Sequence, residues 1–183
     1  MLNKKIEAAL CGQINNEIYS AYLYLAMSAK CNAMGLKGFS TWFMVQYHEE
    51  MLHAMKFYEY IHKKGGTNTL QAIKQPPAEF DSHLDMFEKT YAHEQFITSC
   101  INDLIALARA EKDNATEVFL QWYVTEQDEE EENDVDAIAK LKLIGKDTSA
   151  LFLMDKDMGA RLMTGPTDFS KGVEAQLAGG TAA

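Results

Sequence analysis

The stretch that decides the fold is YHEEMLHA, residues 47–54. It contains Glu50 and, three residues later, His53, a spacing that places both side chains on one face of a helix. A single carboxylate, Glu17, stands 33 positions before Glu50, within an earlier segment of helical periodicity. This part of the chain therefore offers one acid from a first helix and an acid–imidazole pair from a second.

The second half of the chain repeats this arrangement. Glu94 is followed 33 positions later by Gln127, and Glu130 stands three residues after Gln127. The offset of 77 positions between Glu17 and Glu94 also separates Glu50 from Gln127. Such a repeat predicts two helical hairpins related by a pseudo-twofold axis, whose four helices bring these side chains together as a two-metal carboxylate cage.

Breaks in the helical pattern mark the ends of the predicted helices. Proline is absent from four long segments, whose inward-facing residues recur in steps of three and four, and from a short fifth segment. The segments are 3–32, 38–64, 82–111, 114–144 and, for the fifth, 148–163.

The connections between these segments predict the topology. Two of the breaks are so short that they require antiparallel hairpins. The linker from Gly65 to Asp81 is longer and spans about 50 Å when extended, whereas a helix of 27 residues is only about 40 Å long. We therefore predict an all-α fold: an antiparallel four-helix bundle with a long crossover between helices 2 and 3 and a short fifth helix. Residues 1–164 form this domain, and residues 165–183, rich in glycine, alanine and threonine, are expected to be a flexible tail.

The composition limits the possible partners of the protein and its cellular location. The net charge of −10 argues against a nucleic-acid partner and favours cations. No stretch approaches the roughly 20 apolar residues of a membrane span. The cysteines are three in number and lack a CxxC spacing, which is typical of free thiols in a reducing compartment. We therefore expect a cytoplasmic protein that interacts with neither nucleic acid nor membrane.

Acids on a buried seam need a compensating charge. A single seam glutamate is usually a boundary residue, but four of them at matched offsets, with no lysine or arginine on the same seams nearby, require cations. Two divalent ions would balance Glu17, Glu50, Glu94 and Glu130. Donors that are mostly oxygen, with one imidazole, suit iron, manganese or zinc.

Further candidates lie beside these positions. Tyr24 stands seven residues after Glu17 on the same face, where it could orient a ligand, donate an electron or simply pack. Glu49 precedes Glu50, and Glu126 and Glu129 flank Gln127. These three acids are candidates for an entry or overflow site for a third metal, whereas the following Glu131 and Glu132 are expected on a solvated helix face.

These residues resemble the motif set of the bacterial non-haem ferritins, and the resemblance covers about residues 1–164. It implies a shell of 24 identical subunits that stores a ferric mineral. Glu17, Glu50 and His53 would hold one iron, with Glu50 as a bridge. Glu94 and Glu130 would hold the second, with Gln127 close by.

The resemblance also implies a third iron and an accessory tyrosine. Glu49, Glu126, Glu129 and Glu130 stand where related bacterial ferritins bind a third iron, and Tyr24 stands where they carry a tyrosine beside the di-iron centre. Bacterioferritins have a glutamate and a histidine at the positions of Gln127 and Glu130, so this chain fits the non-haem branch. Haem ligation through Met51 is not expected.

The function predicted from the sequence is iron storage with ferroxidase activity. Fe(II) would be oxidised to Fe(III) by dioxygen or hydrogen peroxide, with the catalytic residues Glu17, Glu50, His53, Glu94, Gln127, Glu130 and Tyr24. The alternatives are a haem-binding ferritin like the bacterioferritins, a metal-sequestering bundle that forms no shell, and a di-iron peroxidase like rubrerythrin. Rubrerythrins usually add a small domain with two CxxC pairs, and this chain has none.

Overall fold

The computed structural model describes residues 2–179, which form helices joined by short turns and one long linker. The helices are α1 Lys4–Ala33, α2 Lys37–Lys63, α3 His83–Ala110, α4 Asn114–Ile144, α5 Thr148–Met158 and α6 Val173–Gly179, with a 3₁₀ turn at Phe169–Lys171. No strand occurs in this range, and none of its helices has the length and apolar character required to cross a membrane.

Three of the long helices begin at a side chain that caps them. Asn3, Ser82 and Asp113 precede α1, α3 and α4, and each accepts a hydrogen bond from a backbone N–H in the first turn, at 2.8, 3.0 and 3.0 Å. Each such cap stabilises its helix by about 1 kcal/mol. The helix starts are therefore encoded locally.

The start of α2 is capped from a distance. Leu36, at its N-cap position, makes no side-chain hydrogen bond. Instead, Asp155 of α5 accepts a hydrogen bond from the backbone N–H of Phe39 at 3.0 Å. The two backbones come so close here that a Cβ on Gly38 would lie 1.5 Å from the carbonyl oxygen of Asp155, and one on Gly159 would lie 3.1 Å from the Cα of Gly38. Glycine at position 38 is thus required for this contact.

One compact unit contains residues 2–78 together with 153–179. Its helices α1 and α2 are antiparallel, because the N–H of Leu2 bonds to the carbonyl of Lys64 at one end (3.1 Å) and the Ser28 hydroxyl bonds to the carbonyl of Ser40 at the other (2.8 Å). The largest fully buried apolar side chains of this unit are Ile6, Leu10, Ile14, Tyr24, Met27, Phe39, Phe43, Phe57 and Ile61.

The other compact unit spans Glu79–Phe152. Its helices α3 and α4 are also antiparallel. Lys142 and Glu88 form an ion pair at 2.8 Å near one end, and Arg109 and Glu117 form another at 2.7 Å near the connecting turn. Met86, Phe87, Ile97, Ile101, Leu120 and Tyr123 are among its buried side chains.

The predicted bounds of the four long helices agree with the structure to within one residue at each end. The fifth helix is shorter than predicted, because it ends at Met158 rather than at residue 163. The following residues turn through Gly159, whose N–H bonds to the carbonyl of Asp155, so that the chain can pass closely over the start of α2.

The described part of the segment 165–183 folds back on α2. Glu59 accepts hydrogen bonds from the backbone N–H groups of Val173 and Glu174, and Val173 is fully buried. The last four residues, 180–183, lie outside the described range. The flexibility of this tail stays a prediction.

Candidate metal centre

Helices α1 and α2 bring three candidate ligands together. Each of Glu17, Glu50 and His53 offers a donor atom, and these three atoms all lie within 4.8 Å of one another. The three residues are between 1% and 3% exposed. The Nδ1 atom of His53 lies 3.6 Å from a carboxylate oxygen of Glu50. Two acids and an imidazole, dry and convergent, have the donor chemistry of a divalent transition-metal site.

The electrostatics of the cluster also favour a cation. Burial raises the pKa of the Glu17 carboxyl well above its ordinary value of 4.5; the negative charge of Glu50 raises it further, and His53 lowers it in part. Gln13, one turn earlier on α1, donates a hydrogen bond to Oε1 of Glu17 at 2.9 Å. The other oxygen, Oε2, is buried without a hydrogen-bond donor. A metal ion would satisfy this oxygen and offset the repulsion between the two acids.

Helices α3 and α4 bring Glu94 and Gln127 together. The amide nitrogen of Gln127 donates to the Glu94 carboxylate at 3.0 Å and lies 3.3 Å from its backbone carbonyl and 3.4 Å from the Thr98 hydroxyl. Thr98 in turn donates to Glu131 at 2.6 Å. Because these bonds all use its nitrogen, Gln127 acts here as the group that orients Glu94.

Glu130 and Tyr24 lie where the helical spacing predicts. Glu130 is buried on α4, one turn after Gln127. Tyr24 is fully buried two turns after Glu17, and its ring stacks on that of Phe43 with centroids 6.3 Å apart.

The acids predicted to hold a third metal are more exposed. Glu49 and Glu126 are half-buried, and Glu129 is exposed. Glu49 forms an ion pair with Arg161, whose terminal nitrogen lies 2.6 Å from its carboxylate. No basic residue stands on the seams near these acids, and the contact with Arg161 could not be predicted from the sequence, because this residue follows α5 and reaches α2 only through the fold.

Two supporting residues were also missed, although the sequence carries a signal for each. Gln13 stands four residues before Glu17 on the same seam, which is one helical turn. Thr98 stands 33 positions before Glu131, the same offset that joins Glu94 to Gln127. The repeated offset could have identified the second hydrogen-bonded pair.

The sequence model of the ferritin-like domain matches residues 7–144, which is most of the chain. The chain belongs to the ferritin family. Among its relatives, the bacterial non-haem ferritin of Campylobacter jejuni is 44% identical over 156 residues, covering 85% of this chain and 93% of the relative. A probable bacterial non-haem ferritin-like protein of Haemophilus influenzae is 42% identical over 159 residues, covering 87% and 96%.

Comparison with solved structures supports the same family. The open-pore ferritin of the archaeon Archaeoglobus fulgidus superposes with a TM-score of 0.88 at 48% identity, covering 88% of this chain and 100% of that one. An engineered closed form of the same ferritin gives a TM-score of 0.89 over 90% of this chain. The predicted fold class, a four-helix ferritin bundle with a short fifth helix, is confirmed by this likeness. The chain is a non-haem ferritin, an iron-storage protein with ferroxidase activity, as the sequence predicted.

Proposed function

We propose that Glu17, Glu50 and His53 bind one of the two Fe(II) ions that this ferritin oxidises, and that Glu94 and Glu130 bind the other. The observation that most supports this proposal is the cluster on α1 and α2, in which donor atoms of two buried acids and an imidazole lie within 4.8 Å of one another. One of the acid oxygens is buried without a donor. Placing such groups in a dry site is unfavourable unless a cation joins them.

The neighbouring side chains have supporting roles in this proposal. Gln13 holds Glu17 through one oxygen and leaves the other for iron. Gln127 orients Glu94 by donating a hydrogen bond to its carboxylate. The carboxylates stabilise Fe(III) over Fe(II), because concentrated negative charge favours the ion of higher charge. Tyr24, buried two turns from Glu17, is proposed as an accessory electron donor.

The substrates in this proposal are iron and an oxidant. Each of two Fe(II) ions gives up one electron. Dioxygen accepts the pair with two protons and becomes hydrogen peroxide, or hydrogen peroxide accepts it with two protons and becomes two water molecules. The Fe(III) then hydrolyses and is stored as mineral.

Ferritins assemble into shells, and we propose that this chain forms one of 24 identical subunits. None of its three cysteines forms a disulfide in the structure, which suits a reducing compartment, so we propose a cytoplasmic location. A shell elutes from gel filtration at several hundred kDa, about 24 times the subunit mass of 20.6 kDa, and a peak at one or two subunits would contradict it.

Stopped-flow mixing of metal-free protein with Fe(II) in air tests the site. We expect a fast absorbance change that is lost in Glu50→Ala and in Glu94→Ala, because each change removes a ligand from one of the two hairpins. Glu132→Ala, on an exposed position of α4, is the matched control and should keep the fast phase. Wild-type rates in both ligand variants would overturn the proposed centre.

A further inference from the structure

The segment after α5 carries an arginine to the helix that bears the metal ligands. The glycine contact between Gly38 and Gly159 fixes the end of α5 against the start of α2, with Asp155 bonded to the first turn of α2. Two residues beyond Gly159 comes Arg161, and its backbone N–H bonds to the carbonyl of Met158. The path of the chain therefore determines where this side chain lies.

Arg161 makes three contacts with one face of α2. Its guanidinium carbon lies 4.9 Å from the centre of the Trp42 ring, one terminal nitrogen donates to the amide oxygen of Gln46, and the other lies 2.6 Å from the carboxylate of Glu49. The side chains of Arg161 and Glu49 are only 23% and 22% exposed. A stacked guanidinium with two polar partners is held in one orientation, and lysine cannot reproduce this arrangement.

These contacts lie directly beside the candidate ligands. Gln46 is fully buried one turn before Glu50, and Glu49 is the residue that precedes Glu50 in the chain. Arg161 therefore already forms an ion pair with Glu49, the acid that the sequence suggested as a ligand for a third metal. A divalent ion that binds Glu49 must compete with this charge.

We propose that Arg161 is a positioning residue that occupies the carboxylate of Glu49 and so excludes a further metal ion from it, which limits iron to the buried ligands. The inference rests on the proposed function, because it assigns Glu49 a role relative to that centre. A half-buried hydrogen bond between charged groups contributes enough to weaken a competing metal about tenfold or more.

Zinc is a suitable probe, because it accepts oxygen and nitrogen ligands and has no redox chemistry. Metal-free shells of the full chain are titrated with Zn²⁺ by calorimetry, and bound zinc is counted after desalting. We expect Arg161→Gln to bind about one additional zinc ion per subunit, or to bind its weakest zinc about tenfold more tightly than the wild type.

Two variants separate this effect from a general change in charge. Arg109→Gln removes the same charge from an exposed ion pair with Glu117 and is expected to bind zinc as the wild type does. The double variant Arg161→Gln, Glu49→Gln restores the wild-type net charge. It is expected to lack the additional zinc binding of Arg161→Gln. Arg161→Lys, which keeps the charge, tests the need for the guanidinium and should recover only part of the exclusion.

The outcomes are distinct. Wild-type zinc binding in Arg161→Gln would overturn the inference, as would an equal gain in Arg109→Gln or a gain that persists in the double variant. Should Arg161→Gln fail to assemble, Arg161→Met, which keeps the contact with Trp42, carries the same expectation. Failure of the wild-type protein to bind zinc at all would instead count against the proposed centre.

Discussion

Replacing Glu17 by glutamine should stabilise the metal-free protein while weakening its metal binding. The glutamine oxygen can still accept the hydrogen bond from Gln13, and the new amide nitrogen takes the place of the buried oxygen that has no donor. The substitution also replaces the carboxyl group beside Glu50 by an uncharged amide, which can donate a hydrogen bond. Two opposite effects of one substitution are expected only if the acids are arranged for a cation.

The magnitude follows from the cost of the buried oxygen. A buried acceptor without a donor costs about 1–3 kcal/mol. For a domain of this size each kcal/mol shifts the melting temperature by about 2–4 °C, so the metal-free variant should melt roughly 2–12 °C above the wild type at neutral pH.

The pH dependence has a defined sign. The pKa of Glu17 is raised in the folded protein, mainly by burial and then by Glu50. The folded state therefore holds this proton at a pH where the unfolded chain has lost it, and stability falls as the pH rises above about 4.5 towards the raised pKa. Metal-free wild type should thus lose stability as the pH rises from about 4.5 towards the raised pKa of Glu17, and Glu17→Gln should lose less.

Differential scanning fluorimetry of metal-free shells at several pH values, with and without Zn²⁺, measures both effects. The wild type should gain stability on adding zinc, about 2.7 kcal/mol at a free concentration one hundred times the Kd, and Glu17→Gln should gain much less. Glu132→Gln makes the same chemical change at an exposed position and serves as the control. A metal-free Glu17→Gln protein that melts at or below the wild-type temperature at pH 8 would refute the reasoning.

Four further outcomes are expected. Asp155→Ala removes the side chain that caps α2 and should lower the free energy of unfolding by about 1 kcal/mol in chemical denaturation. Gly38→Ala forces a Cβ onto the Asp155 carbonyl and should cost about 3 kcal/mol or prevent folding; a melting temperature within 1–2 °C of wild type would contradict the close contact. Gln127→Leu removes the donor that orients Glu94 and should slow the fast phase of iron oxidation about tenfold without loss of the fold, as measured by stopped flow and circular dichroism. Burial, with a smaller contribution from Asp155, raises the pKa of Cys31 to about 12, so this thiol should stay unmodified by iodoacetamide at pH 8 in the folded protein; rapid labelling there would be inconsistent with its environment.

The long helices could be predicted closely because their signals are local. Breaks without helical periodicity, caps such as Asn3 and Ser82, and seams with steps of three and four all act within a few residues. The end of α5 could not be predicted in this way. It depends on the approach of Gly159 to Gly38, which are far apart in the sequence.

The candidate ligands were predictable for a related reason. A buried acid must be compensated, and the repeated offsets showed which acids share a face. The structure brings Glu17, Glu50 and His53 together and joins Glu94 to Gln127 by a hydrogen bond, and metal binding by these residues stays a prediction. The partner of Glu49 was not predictable, because no periodicity links α2 to a residue beyond the end of α5.

The most direct test of the central claim is anomalous diffraction at the iron edge from crystals of the full chain soaked anaerobically with Fe(II). We predict one peak within coordination distance of Glu17, Glu50 and His53, and a second one in contact with Glu94 and Glu130. Iron found only on exposed acids, with these five side chains free of metal, would contradict the account.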